Sequence, residues 1–233
     1  MKRDAMQDFS TQRRNMVDSQ LRPNDITDYL VLTAMGEVPR EAFVSASLRS
    51  IAYMDKELVV RERLGALPER AMLAPMTFAQ LVQFADVRPS DLVLDVGCGT
   101  GYSVAVLARL AESVLGLEGD DALAERASTE IAEHGADTAA IVSGDLTVGC
   151  PEQGPFDVIL FEGRVPDVAS IAEGTVWRDQ LKEGGRLVTV VGEQPIGEAI
   201  RFVRRGDALL RTSGFDATAP LLPGFEKPAV FSF

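Results

Sequence analysis

The sequence predicts a doubly wound α/β sheet, and three observations carry that expectation. A glycine-rich loop follows a short apolar run and opens a helix-period segment. Further apolar runs then alternate with helical patterns, and the alternation stops after Gly192, where strand-like runs follow one another directly. Runs that are apolar almost throughout mark parallel strands buried on both faces. Strand alternating with helix is the sequence form of a Rossmann-like sheet with helices on both faces.

In chain order, residues 5–55 read as mostly helical, because Met16, Val17, Leu21, Ile26, Leu30, Val31, Leu32 and Met35 recur near helical spacing, with Asn24 or Asp25 as N-cap. Pro39 and the stretch 62–68 interrupt this region, and Glu57-Leu58-Val59-Val60 reads as a short strand. Residues 1–68 are thus expected to form a helical N-terminal region packed on the core, and residues 69–233 the Rossmann-like domain. A helix over Phe78–Ala85 leads through Arg88-Pro89-Ser90 into the buried run Leu92–Val96. Similar runs follow at Ser113–Glu118, Ala139–Ser143, Phe156–Phe161 and Arg186–Val191, separated by helical patterns at Tyr102–Ala111, Asp121–His134 and Ile171–Leu181. Ile200–Arg205, Ala208–Thr212 and Ala229–Phe233 then read as antiparallel additions to the sheet edge.

Composition narrows the function. The chain has 233 residues, of which 46% are hydrophobic and 25% charged, enough for one sizeable core. No window reaches the roughly 18 to 20 uninterrupted apolar residues of a membrane span, and the charged N-terminus has no apolar signal core; a cytoplasmic protein without a membrane partner is expected. The two cysteines, Cys98 and Cys150, are too few for a disulfide framework, and each reads as a small buried residue. The single histidine, His134, reads as a helix end before Gly135, so no metal site is expected. A net charge of -12 disfavours phosphate backbones and argues against a nucleic-acid partner. Arg201, Arg204, Arg205 and Arg211 form the best local basic candidate, and alternation puts them on the solvent face of strands.

The glycine loop, Asp95-Val96-Gly97-Cys98-Gly99-Thr100-Gly101-Tyr102, follows a strand and opens a helix, so its backbone can approach a ligand closely. A dinucleotide fingerprint needs G-x-G-x-x-G, and here the third glycine arrives one residue early; no Gly-Lys-Ser/Thr of a phosphate loop follows. Asp95 ends an apolar strand, where a carboxylate can organise loop amides or meet a ligand ammonium through water. Glu118 ends the next strand and can accept from both hydroxyls of a ribose, with Gly119 beside it. Asp145 is placed to accept from an adenine amino group, with Leu146 against the ring. Together these groups describe an adenosine site with a cationic tail, the chemistry of S-adenosyl-L-methionine.

The chain resembles the protein-L-isoaspartate O-methyltransferases from about residue 14 onward. The resemblance rests on Met16-Val17-Asp18-Ser19-Gln20-Leu21-Arg22-Pro23, Ile26-Thr27-Asp28, Val38-Pro39-Arg40-Glu41-Ala42-Phe43-Val44 and Ala52-Tyr53-Met54-Asp55, followed in order by the glycine loop, Gly144-Asp145, Pro155-Phe156-Asp157-Val158-Ile159 and Gln180-Leu181-Lys182-Glu183-Gly184-Gly185-Arg186. It implies methyl transfer from S-adenosyl-L-methionine to an isoaspartyl carboxylate of a protein or peptide, a protein-repair reaction that leaves S-adenosyl-L-homocysteine. It also implies a cofactor pocket made of Asp95, Gly97, Cys98, Gly99, Thr100, Gly101, Glu118, Gly119, Asp145, Leu146, Phe161 and Glu162.

The chain departs from the family where the acceptor is expected. The family's Gly-Gln-Thr-Ile-Ser-x-Pro reads Glu69-Arg70-Ala71-Met72-Leu73-Ala74-Pro75, so Leu73 replaces the serine and Ala71 the threonine. Leu146 follows Gly144-Asp145 where the family has glycine, and Phe161-Glu162-Gly163-Arg164 stands in place of small residues. Arg70 or Arg164 is a candidate carboxylate clamp, each otherwise a solvated loop residue. Glu162 is a candidate base for a neutral acceptor, otherwise a surface carboxylate. Trp177 packs the last helix or caps the acceptor side. The readings that stay open are an isoaspartyl methyltransferase, a methyltransferase for another acceptor, and a cofactor-binding protein without transferase activity.

Overall fold

The computed structural model describes residues 8–63, 69–193 and 196–226. Helix α1 (Phe9–Met16) starts at Asp8, whose carboxylate accepts from the amides of Ser10 and Thr11, and runs on through a π turn over Val17–Leu21 and a 3-10 turn over Arg22–Asn24. Helix α2 (Tyr29–Glu37) follows, and its N-cap is Asp28, which accepts from Leu30 N at 2.8 Å and Val31 N at 3.3 Å. The cap is therefore not Asn24 or Asp25. Asp25 adopts a left-handed φ of 63° and closes the preceding turn, while Gln83 Oε1 accepts from the amides of Thr27 and Asp28 and fixes where α2 begins.

Strand β1 (Leu58–Arg61) pairs antiparallel with β2 (Arg70–Met72) in a small sheet of its own. The boundary expected between residues 68 and 69 thus falls inside a strand pair. Helix α3 (Pro75–Ala85), with proline at its first turn, leads to the main sheet. That sheet contains β3 (Leu92–Val96), β4 (Ser113–Glu118), β5 (Ala139–Ser143), β6 (Phe156–Val165), β7 (Leu181–Val191), β8 (Gly197–Arg205) and β9 (Ala208–Ala217), in the order β5-β4-β3-β6-β7-β8-β9. The first five positions are parallel and β8 and β9 are antiparallel additions. Helices α4 (Tyr102–Leu107) and α5 (Asp121–Glu133) connect β3 to β4 and β4 to β5. The chain moves outward from β3 to β5 and returns to β6 on the other side of β3, so the crevice above the ends of β3 and β6 is a topological switch point, the usual ligand position in such sheets.

Several elements differ from expectation, among them β8, which begins at Gly197, and β9, which runs on to Ala217. The helix expected over 171–181 is two short helices, α6 (Ala169–Ala172) and α7 (Val176–Asp179), separated at Gly174 with its φ of 79°, and Leu181 already belongs to β7. Helix α4 ends at Leu107 rather than Ala111. Strand β6 runs four residues past Phe161, which makes Glu162 and Arg164 buried strand residues, not loop residues. The expected strand at 229–233 lies outside the described residues.

One apolar cluster joins Met16, Leu21, Met35 and Phe43 of the N-terminal region to Phe78, Tyr102 and Val104 of the sheet domain; the Phe43 and Tyr102 rings meet edge to face at 5.7 Å. Full burial of a side chain of this size contributes about 2 kcal/mol. The other cluster holds Leu94, Val96, Phe161, Leu222 and Trp177, with the Trp177 ring 4.8 Å from Phe161. The candidate basic residues do not pool: Arg201 stacks on Phe84 at 4.9 Å, Arg204 donates to the carbonyls of Arg178 and Leu181, and Arg205 pairs with Glu183. Among the described residues, no helix is long and apolar enough to cross a membrane.

Candidate cofactor site

The glycine loop leaves the end of β3 and enters α4 with Gly97, Gly99 and Gly101 all at positive φ. The amides of Gly97 and Cys98 donate to Leu117 O, which ties the loop to the end of β4. Gly97 is needed twice over. Its φ of 79° is strained for any other residue, and a Cβ there would stand 2.6 Å from Leu222 Cδ2 and 3.0 Å from Arg70 Nη2.

Three acidic side chains converge on this loop. Asp95 is 0% exposed; its Oδ2 accepts from Ser103 Oγ at 2.5 Å and its Oδ1 has no partner. Its protein partner is thus a hydroxyl at the start of α4 and not the loop amides that the sequence suggested. Burial, with the Glu118 charge adding to it and the Ser103 hydrogen bond and Arg70 opposing, pushes the Asp95 carboxyl up to about 7. Glu118, 1% exposed, is fully engaged. Its Oε2 accepts from Gly99 N at 2.7 Å and Arg70 Nη2 at 2.9 Å, and its Oε1 from the amides of Gly119 and Asp120 at 2.9 and 3.2 Å. Glu162 reaches the loop because β6 bulges between Leu160 and Arg164, where three residues face a single residue of β7. It is 6% exposed with Oε1 unpartnered, and burial, reinforced by Asp95, holds its carboxyl well above the usual range. It is thus a buried strand residue and not a surface carboxylate.

The remaining expected residues spread around the crevice. Thr100 is buried with an unpartnered hydroxyl, Cys98 is buried with its thiol pushed up by desolvation, and Leu146 lies against Gly119. Phe161 is buried between Trp177 and Phe225. Asp145 sits exposed, its Oδ1 accepting from the amide and hydroxyl of Thr147 in a local turn. Glu130, Glu133 and His134 bring ligand-type atoms within 4.8 Å of one another at the end of α5.

Neither candidate arginine is a solvated loop residue. Arg70 is 1% exposed and donates from Nη2 to Gly97 O at 2.8 Å as well as to Glu118, leaving Nε and Nη1 without partners. Arg164 donates from Nη1 to Gly192 O at 2.7 Å, and its backbone pairs with Pro220 and Leu222, which brings the Leu222 side chain onto Gly97 and Gly163. Leu73 is buried, and its carbonyl accepts from Arg40 Nη2 at 2.6 Å. Arg40 escaped the sequence reading as a structural pin. It is fully buried, also donates to Ala52 O, and lies 4.9 Å from the Tyr102 ring; beside Glu41 in the segment 38–44 it carries no local signal of burial.

The space left between the loop, Glu162 and the small-sheet residues Val60, Ala71 and Met72 is a narrow cavity of about 10 Å³, room for one water. The unpartnered groups match the amino-acid end of S-adenosyl-L-methionine: carboxyl oxygens of Asp95 and Glu162 for an ammonium, and the Thr100 hydroxyl for a carboxylate. The chemistry fits that cofactor, while the Arg70 side chain fills the cradle. A separate open cavity of about 610 Å³ lies beside Ala74 and Met76 and is lined by Asp55, Lys56, Glu57 and Asp216.

Residues 11–218 match the family profile described as protein-L-isoaspartate(D-aspartate) O-methyltransferase. A protein-L-isoaspartate O-methyltransferase of Roseiflexus sp. (strain RS-1) is 38% identical over 202 residues, covering 87% of each chain. That of Koribacter versatilis (strain Ellin345) is 36% identical over 208 residues, covering 89% of this chain and 88% of its own. A solved protein-L-isoaspartate O-methyltransferase superposes with a TM-score of 0.79 at 26% identity, over 91% of this chain and 66% of that one. A Plasmodium falciparum protein solved with S-adenosyl-L-homocysteine shares the fold, with a TM-score of 0.72 at 20% identity over 92% of this chain and 97% of that one.

Proposed function

The chain belongs to the protein-L-isoaspartate O-methyltransferase family of S-adenosyl-L-methionine-dependent methyltransferases, and from that premise we propose that it methylates the carboxylate of isoaspartyl residues in protein or peptide substrates, as a cytoplasmic repair reaction. The observation that carries the reading is the crevice between β3 and β6, where the glycine loop meets Asp95, Glu118 and Glu162 at one switch point. When bound, the cofactor supplies a methyl group on a positively charged sulfur, and a carboxylate acceptor needs no general base to receive it. The work left to the protein is binding, orientation and exclusion of water. Asp95, Glu162 and Thr100 would hold the amino-acid end and Glu118 the ribose, with Leu222 and Phe161 walling off solvent. Glu162, whose carboxyl is pushed upward by burial and by Asp95, presents its unpartnered Oε1 to that end.

One observation favours a second reading, methyl transfer to another acceptor. The open cavity beside Ala74, next to the segment that has lost the family's hydroxyls, presents Asp55, Glu57 and Asp216 against one lysine, a lining that repels a carboxylate and suits a cationic or neutral group. Incubation with labelled cofactor and an isoaspartyl peptide, beside its aspartyl twin, separates the two. Base-labile label on the isoaspartyl peptide alone is expected under the first reading. Label appearing only on a cationic peptide offered in parallel would replace it with the second.

A further inference from the structure

We propose that Arg70 is a latch on the cofactor cradle: its guanidinium stands on Glu118 in place of the ligand, and the cofactor enters only after that side chain has left. The inference rests on the cofactor reading above and adds to it how the site is controlled. Glu118 already accepts four hydrogen bonds, from Gly99 N, Gly119 N, Asp120 N and Arg70 Nη2. Only the last of these comes from outside the loop and the end of β4, so it is the one a ligand can replace without dismantling the loop. The same Nη2 holds Gly97 O, and beside it Val60, Ala71 and Met72 of the small sheet lie over the loop, leaving a cavity of about 10 Å³. Arg70 is therefore the side chain that ties the small sheet to Glu118 and to the loop.

The carrier is built for such a movement. Arg70 rides on β2, a three-residue strand that, among the described residues, pairs with β1 and not with the main sheet, and the pairing slips register between Val59 and Arg61. The exchange also conserves charge. Asp95, Glu118 and Glu162 face the guanidinium; the sulfonium and ammonium of the incoming cofactor bring positive charge to the same groups as Arg70 withdraws. A ligand that binds only the open form has an apparent affinity reduced by the fraction of protein that is open.

The test compares the wild type with Arg70→Gln, the residue the family carries there, using S-adenosyl-L-homocysteine as probe in calorimetry and surface plasmon resonance, with circular dichroism to verify folding. The expected result is binding about tenfold tighter or more in the variant, most of the gain in the association rate. A folded variant that binds no faster and no tighter than wild type overturns the latch and leaves the cofactor reading standing. Absence of binding to both proteins overturns both. Should the variant fail to fold, wild-type kinetics decide: an association rate that levels off with ligand concentration supports opening before binding, and one that stays linear at about 10⁶ M⁻¹s⁻¹ or above overturns it.

Discussion

Asp95, Glu118 and Glu162 share one crevice and are held in three different ways: one oxygen bonded and one bare, four donors on two oxygens, and a buried acid on a bulge. Because the folded state raises the Asp95 carboxyl from 3.8 to about 7, it binds that proton more tightly than the unfolded chain does. The contribution to stability is fully present below about pH 4 and is lost as pH rises through about 7. Asp95→Asn, which cannot ionise, is expected to flatten the fall in stability between those values, read from urea melts at a series of pH values; an unchanged slope would remove Asp95 as its source. The acidic strand ends were legible in sequence because a carboxylate closing an apolar run has few other reasons to be there. Arg70 was legible as a candidate but not in its role, since its partner lies 48 positions along the chain and no local pattern in Glu69-Arg70-Ala71-Met72 points to it.

At the scale of elements, periodicity gave the parallel strands and most of their helices, while errors collected where long-range contacts decide the ends. Strand β6 continues past Phe161 because its last residues pair with Val190 and Val191 of β7 and with the segment 220–222, partners that no local apolar pattern reveals. Asp28 rather than Asn24 or Asp25 caps α2 because Gln83, far along the chain, holds its backbone. The bulge of β6 also depends on Gly163, where a Cβ would stand 2.7 Å from Leu222 Cγ and 2.8 Å from Pro220 O. Gly163→Val is expected to cost about 2 kcal/mol, since the strap over 220–222 must shift. Chemical denaturation measures it, and a variant as stable as wild type would show that the strap gives way freely.

For the whole molecule, the architecture was readable and its division was not. The N-terminal helices and the face of the sheet carrying α3 and α4 bury one continuous core, and β1 and β2 pair across the boundary that composition suggested. Leu73 lies in that core, so the position where the family keeps a serine has become a packing site here. Leu73→Ser is therefore expected to lower stability by about 3 kcal/mol, seen as a fall in the melting temperature. A variant of unchanged stability that also gained isoaspartyl methylation would instead mark the position as one where only the hydroxyl was missing.

The segment over 220–222 has a consequence for how the protein is made. Leu222 closes one side of the cradle at Gly97, yet it is synthesised long after the glycine loop, Arg70 and Glu118. At ordinary elongation rates the interval is on the order of ten seconds, ample time for local pairing. The nascent chain thus assembles its loop, acid and arginine while one wall is still missing, and the pocket is sealed only once Leu222 has been made.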